Sequence, residues 1–475
     1  MRDEPLLHAI ETAPRSAPSA ASALSQWWAR AGDASACYGE DVGSTDAEAG
    51  ADAHVGGKAG VLGTSANVVV QIMGLGITTL SFMLRQGGWA CLALMVACAL
   101  AANYTGKILI ACCYDAHGAR IRDTYGDIGE AAFGPAGRFL TRLFENVTFF
   151  GVCALFLILA GEFLSALPVG VDKRVWTLAA AALVAVPVLV LHDIAEMRWV
   201  SFVGVGAVIV VAIAVLGLAG FGDPGTPTPH TDAVLPFGFL TAFSSMTLAF
   251  GCHAGLPAVE KSMRAPPRFN AMFNIAFAAV LALYLPVAIV GYAKYGASVQ
   301  SPILLSLPSG SWLQVLAKAM LCAHVMLAYP ILMMLFVRGV ENALHVAPSG
   351  ADPLSPASAP GVPAPSSAPT RRGYIVKRTV IRAVAIALNV AVAIFAPYFS
   401  DMMGLIGALG SVMTTFVLPT VFYVVLRTTG PDGGHAKRVL PVAVGLIGAV
   451  GGFAGAVEAC ISLVRKISAR GSPWS

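Results

Sequence analysis

Gly60 to Leu84 reads GVLGTSANVVVQIMGLGITTLSFML, and the rest of the chain takes its meaning from this stretch. Its length and apolar character suit a bilayer crossing, for which ~20 mostly apolar residues are enough. Its middle, Met73-Gly74-Leu75-Gly76-Ile77-Thr78-Thr79, does not suit an uninterrupted helix. Each glycine costs about 1 kcal/mol against alanine in a helix interior, and two threonines follow the pair. A break at bilayer depth strands N–H and C=O groups. It is tolerated only where protein buries the chain or the chain lines a cavity. In transporters such half-helices turn N–H groups toward an anionic substrate group and carbonyls toward a cation. The alternative is a glycine-notched helix packed closely on a neighbour.

Beyond this stretch, the 475 residues are 57% hydrophobic and 12% charged, with a mean hydropathy of +0.74. A soluble domain carries about 25% charged residues, so the composition implies an integral membrane protein. Apolar runs mark eleven candidate spans, at 60–84, 88–113, 138–167, 175–192, 198–220, 235–256, 271–293, 312–338, 379–398, 402–426 and 439–463. Residues 1–57 are rich in Ala, Ser, Gly and acids and have no apolar core segment. They read as a disordered cytosolic tail with no signal peptide. Within it, Asp3-Glu4-Pro5-Leu6-Leu7 has the pattern of an acidic dileucine sorting signal. Residues 348–372 read as an extended Pro/Ala-rich cytosolic loop, and 465–475 as a short luminal or extracellular tail.

With the N-terminus in the cytosol, 22 of the Lys and Arg residues fall on the inner side and eight on the outer. That bias sets the expected orientation. The sequons at Asn103 and Asn146 then fall at the cytosolic face and inside a span, so neither is expected to carry glycan. Most of the nine cysteines lie in apolar stretches and none has zinc spacing, so they read as packing residues. No His/Asp/Glu set has metal or nucleophile spacing. The expectation is therefore no enzyme, no catalytic residue, no metal site, no cofactor and no nucleic-acid partner.

The sixth candidate span is irregular too. It runs Phe237-Gly238-Phe239-Leu240-Thr241-Ala242-Phe243-Ser244-Ser245-Met246-Thr247-Leu248-Ala249-Phe250 into Gly251-Cys252-His253-Ala254-Gly255-Leu256-Pro257. Two notched spans five apart are what two inverted five-helix halves would produce.

These motifs carry a resemblance. Gly74-x-Gly76-Ile77-x-x-Leu80 with Gly88-Trp89 resembles the first-span signature of the amino acid/auxin permease family. Asn103-Tyr104-Thr105-Gly106-Lys107-Ile108-Leu109-Ile110-Ala111-Cys112 is similar to the second-span end of its vesicular inhibitory amino acid transporter branch. Tyr125-Gly126-Asp127-Ile128-Gly129-Glu130-Ala131-Ala132-Phe133-Gly134 is similar to the family's cytosolic segment before the third span. Gly251 to Pro257 with Ser262-Met263 resembles the sixth span of the vacuolar amino acid transporters, and Tyr329-Pro330 and Pro397-Tyr398-Phe399 through Gly404 to Ala408 match as well. The resemblance covers 58–464. It implies an all-α integral membrane protein with a LeuT-like (APC) fold: eleven transmembrane helices, a 5+5 inverted repeat plus one extra helix. It further implies secondary active, usually proton-coupled, amino acid transport across a vacuolar, lysosomal or vesicular membrane.

The expected substrate contacts are the N–H groups of Gly74, Leu75, Gly76 and Ile77 for a carboxylate, and carbonyls near Phe250, Gly251 and Cys252 for an ammonium. Thr78, Thr79, Ser244 and Ser245 would tune side-chain fit, unless their hydroxyls bond back to their own helices. Ionisable groups inside spans are functional candidates by default: here Glu145, His253, Lys318 and His324. His253 is the foremost proton-coupling candidate and Glu145 the second, with a neutral core histidine as the alternative for His253. The sequence departs from the family at Ser81, where a Pro usually stands. It departs again at Val70, where sodium-coupled relatives carry Asn, with Asn67 about a turn earlier. The second departure favours protons over sodium. A sodium symporter and an amino acid sensor with little flux are the rival readings.

Overall fold

The computed structural model describes residues 60–115, 117–167, 169–190, 199–220, 229–344, 346, 371–428 and 435–469. The expected tail 1–57, nearly all of the loop 348–372 and the sorting pattern lie outside the described residues. Every regular element among these residues is helical: α1 (Val61–Gly76), α2 (Leu80–Gly87), α3 (Ala90–Ala111), α4 (Tyr125–Ser165), α5 (Lys173–Val190), α6 (Trp199–Gly220), α7 (Pro236–Ala249), α8 (Leu256–Lys261), α9 (Phe269–Tyr295), α10 (Trp312–Ala343), α11 (Arg371–Phe395), α12 (Phe399–Ile406), α13 (Leu418–Arg427) and α14 (His435–Ala469). Ten continuous stretches are long and apolar enough to cross a membrane. The pair α1 and α2, each too short alone, forms the remaining crossing. The result is eleven spans, of which the first is α1 with α2, the sixth α7 with α8, and the tenth α12 with α13.

Most of the packing recurs when each span is exchanged with the one five further on. Span 3 packs on span 8, span 4 on span 9, and span 1 on span 6. Span 5 packs on spans 7 and 8, as span 10 packs on spans 2 and 3; span 1 meets span 7 as span 6 meets span 2. A repeat of five crossings is odd, so its second copy enters the membrane from the opposite side. The repeat is therefore inverted. This is the LeuT-like arrangement, with α14 as the additional helix against α7.

Burial follows the same plan. The window of span 6 is 72% buried, whereas those of spans 4 and 11 are 28% buried. Spans 4, 9 and 11 turn large apolar side chains outward, among them Leu183, Val186, Leu388, Val450 and Phe453. In water that much exposed apolar surface would mark an interface; on a bundle of apolar helices it is the lipid-facing belt.

Local sequence explains the ends. Thr124 and Asp127 form a capping box that starts α4, satisfying two otherwise unpaired N–H groups. Phe133 and Gly134 then kink α4 before Pro135, so a short segment precedes the crossing proper. Span 10 relaxes into π-helix at Gly407–Ser411 and Met413–Val417, a distortion frequent at functional sites.

Candidate functional site

Both notched spans are broken, and the breaks face each other. In span 1 the helix stops at Gly76, and Ile77, Thr78 and Thr79 form a turn before α2. Thr78 N donates to Leu75 O at 3.3 Å and Thr79 N to Gly76 O at 3.0 Å. Ile303 N donates to Thr78 O at 2.8 Å from the segment before span 8. In span 6 the helix stops at Ala249. Phe250, Gly251 and Cys252 form the turn, a 3-10 turn spans His253–Gly255, and α8 follows.

Gly76 lies directly against the end of α7. A Cβ there would sit 3.0 Å from Ala249 Cβ and 2.2 Å from the Tyr284 hydroxyl. That hydroxyl, from span 7, lies 3.1 Å from Ile72 O and 3.3 Å from Ala249 O. One side chain thus bridges carbonyls of both broken helices. Beyond the break in span 6, Gly255 admits Gln71, whose Nε2 would lie 2.7 Å from a Cβ at that position.

The break in span 1 falls one step later than the glycine pair implied. Gly74, Leu75 and Gly76 belong to the last turn of α1, where backbone N–H groups bond carbonyls four residues back. The terminus they form offers carbonyls. The free N–H groups of this span are those opening α2 from Leu80 onward, since the first N–H groups of any helix lack intrahelical acceptors. Gly74, Leu75 and Gly76 thus lie in helix, and the amides without intrahelical acceptors follow the break.

The threonines bond locally. Thr78 Oγ1 donates to Leu75 O at 2.8 Å and Thr79 Oγ1 to Gly76 O at 2.9 Å, which ties down two of the carbonyls freed by the break. Ser81 stands where the family has Pro, and its hydroxyl reaches Val287 O of span 7 at 3.0 Å. Ser245 and Ser244 are buried in α7, and Ser244 Oγ has no hydrogen-bond partner. The Phe250 ring is fully buried among Phe277 and Tyr284, so only its backbone faces the break. Cys252 is buried. Gly251 abuts Ser411 in the π-helical part of span 10, and Ser411 Oγ donates to Thr247 O at 3.0 Å.

His253 lies in the span 6 break, 1% exposed. Its Nε2 is 3.0 Å from Thr105 Oγ1 in span 2. That hydroxyl also lies 2.9 Å from Ala101 O and 3.2 Å from Ala102 O. Either group can be the donor in the contact between His253 and Thr105, and Nδ1 is buried without a partner. Glu145 is half-buried on α4, and no hydrogen bond or ion pair among the described residues brings it to either break. Lys318 is half-buried near the start of α10. His324 is buried, with Nε2 3.2 Å from the Cβ position of Gly74.

Three features escaped the sequence reading. Tyr284 is the first; its signal was a lone tyrosine inside the apolar run LALYLPVAIV. Next comes the C-terminal end of span 6. Glu260 is fully buried and takes both the Arg120 guanidinium and the Tyr114 hydroxyl from the loop between spans 2 and 3. Arg120 also reaches Asp123 at 3.2 Å and Pro257 O at 3.0 Å, and Lys261 reaches Asp123 at 2.8 Å. These partners hold the exposed Asp123 carboxyl below the usual carboxylate range, the Lys261 ammonium most of all and then Arg120. Arg427, at the end of span 10, donates to Asp115 O at 2.9 Å. The last feature is Glu458 in span 11, which accepts from Gly238 N, from Thr241 N at 2.8 Å and from Thr241 Oγ1 at 3.0 Å. A carboxylate from another helix thus caps the start of span 6, where the helix dipole favours negative charge.

Comparison with known proteins assigns the family. A sequence model of the family described as transmembrane amino acid transporter protein matches residues 57–458. The chain is similar to amino acid transporter AVT1I of Arabidopsis thaliana, 28% identical over 378 residues, covering 77% of this chain and 86% of that one. It is also similar to the vesicular GABA transporter of Caenorhabditis elegans, 24% identical over 362 residues, covering 76% and 71%. Among solved structures it aligns with a Na+-coupled sialic acid symporter at a TM-score of 0.49 and 15% identity, covering 84% of this chain and 89% of that one. With the matched segment running from just before the first break into the last helix, the chain belongs to the transmembrane amino acid transporter family.

Proposed function

We propose that this protein moves an amino acid across its membrane by alternating access, coupled to protons, with the substrate held between the two breaks. The observation that carries this reading is the approach of Gly76 to Ala249 with the Tyr284 hydroxyl on carbonyls of both spans. A zwitterion needs an anionic and a cationic partner at one place. The N–H groups opening α2 suit its carboxylate, and the carbonyl ends of α1 and α7 suit its ammonium. Gly74, Gly76 and Gly251 keep side chains out of this space; Leu75, Ile77, Phe250 and Cys252 present backbone to it; Thr78, Thr79, Ser244 and Ser245 bound it.

His253 is the proton carrier in this reading. Its Nδ1 has no hydrogen-bond partner among the described residues, and imidazole changes charge near neutral pH in ordinary surroundings. The ion-pair cluster of Arg120, Glu260, Asp123 and Lys261 closes the inner end while the outer path opens. The Lys/Arg distribution supports a cytosolic position for that end. The similarity to a vesicular transporter and the vacuolar-type sixth span support an acidic compartment membrane, with the N-terminus cytosolic.

Reconstituted protein with imposed gradients tests this. An inward pH gradient at zero sodium should drive accumulation of labelled amino acid, and His253→Gln should retain exchange while losing the response to the gradient. Accumulation driven by sodium at fixed pH would replace the proton by sodium. Saturable binding without tracer movement would make the protein a sensor.

A further inference from the structure

Among the described residues, the buried polar side chains of span 8 are Gln314, His324, Tyr329 and Glu341, and all but His324 are paired. Gln314 Nε2 donates to Leu304 O at 2.9 Å and to Leu307 O at 3.0 Å. Tyr329 OH reaches Asn389 at 3.3 Å. Glu341 pairs with Arg382 at 3.3 Å. Between them stands His324, 4% exposed, whose Nδ1 has no hydrogen-bond partner. Its Nε2 edge lies against Gly74, in the last turn before the first break, where any side chain would meet it at 3.2 Å. Leu321 and Val325 beside it are fully buried and apolar. A histidine serving only as packing would bond a carbonyl, as buried polar groups do in the great majority of cases. Among the described residues nothing supplies an acceptor or donor to Nδ1, and the ring rests on the proposed binding segment.

We infer that His324 hydrogen-bonds the side chain of the transported amino acid, and that the preferred substrates carry a hydrogen-bonding side chain. The inference rests on the amino acid reading above and adds the substrate class to it. A neutral imidazole has one donor and one acceptor nitrogen, so a hydroxyl or carboxamide finds a complementary partner in either tautomer. An aliphatic side chain at this place would leave the nitrogen unsatisfied. Sites built around a buried polar group discriminate strongly against ligands that cannot complete it.

The test uses the full chain in liposomes and measures exchange at equal internal and external substrate, so that no coupling ion is needed. The readout is the ratio of half-saturation concentrations for leucine and valine against serine, asparagine and glutamine. The wild-type protein should favour the polar set. His324→Phe keeps the ring shape without nitrogens and should shrink the preference by about tenfold, the worth of one or two buried hydrogen bonds. His324→Gln keeps a donor and an acceptor and should hold the preference within about threefold. Should the Phe variant fail to elute as a single species, His324→Asn, which withdraws the amide from Gly74, takes its place with the same expectation.

An unchanged ratio in the Phe variant, or a wild-type preference for leucine and valine, overturns the inference while leaving amino acid transport intact. Loss of pH-gradient response with the ratio preserved also overturns it, and assigns His324 to the proton. If the wild-type protein exchanges none of these amino acids, the transport reading itself fails.

Discussion

The contact between the broken helices can be tested with two substitutions that should correct one another. Gly76→Ala puts a methyl 2.2 Å from the Tyr284 hydroxyl and 3.0 Å from Ala249 Cβ. Ordinary contact begins near 3.4 Å, so the hydroxyl must retreat by more than an ångström and leave Ile72 O and Ala249 O. Overpacking of this kind costs about 1–3 kcal/mol, equivalent to roughly five- to 150-fold in an equilibrium constant. Tyr284→Phe removes the hydroxyl and keeps the ring against Phe250. It should cost about 0.5–1.5 kcal/mol, the net value of one intramolecular hydrogen bond. With Oη gone, the nearest ring atom to the added methyl is Cζ at 3.0 Å, a tight contact that small shifts relieve. The double variant should therefore be less impaired than the sum of the singles by about 1 kcal/mol or more, as expected for residues in direct contact. Half-saturation for tracer exchange, measured alongside thermal unfolding by size-exclusion, provides the cycle. Wild-type behaviour of Gly76→Ala, or strict additivity, would refute the idea that Tyr284 sits in the notch made by Gly76.

Other outcomes follow from the same structure. Arg120→Met strands the buried Glu260 carboxylate with Tyr114 alone and should lower stability by about 3–5 kcal/mol; adding Glu260→Gln should recover most of it, both read as melting temperature in detergent. Glu458→Ala leaves the N–H groups of Gly238 and Thr241 unpaired at the start of span 6 and should cost about 1–3 kcal/mol, with Glu458→Gln costing less. The folded-state pKa of Asp123 lies below its unfolded value, so its ion pairs stabilise above the unfolded pKa and are lost as pH falls through the folded one. A melting difference between wild type and Asp123→Asn should thus be full at neutral pH, begin to shrink near about pH 4 and vanish only as pH falls through the lower folded-state value, and a difference that grows on acidification would contradict the pairing. Ser81→Ala removes the bond to Val287 O and should cost about 0.5–1.5 kcal/mol, seen as a small loss in melting temperature.

Much of this was legible in one dimension because a bilayer narrows the choices. A chain with long apolar runs must satisfy its backbone internally, so it forms helices, and their number and order follow from the runs. The two notches were legible for the same reason: Gly74-x-Gly76 and Gly251 to Pro257 contradict their surroundings. Placement within each notch was less so. Gly76 lies before the break and admits Tyr284 and Ala249, Gly74 lies against His324, and a partner in another span leaves no mark beside them in the sequence.

Eleven membrane crossings in two halves could be read from the order of residues alone, because hydrophobic length and helix-breaking residues are local properties. Which groups meet was settled by packing. It put Tyr284 on both breaks, Glu260 with Arg120, Glu458 at the start of span 6, Thr105 on His253, and left one nitrogen of His324 unanswered beside Gly74. Such pairings join residues tens to hundreds of positions apart. Their strength comes from exclusion of water and from geometry at a few ångströms, which are quantities that exist only once the helices have packed.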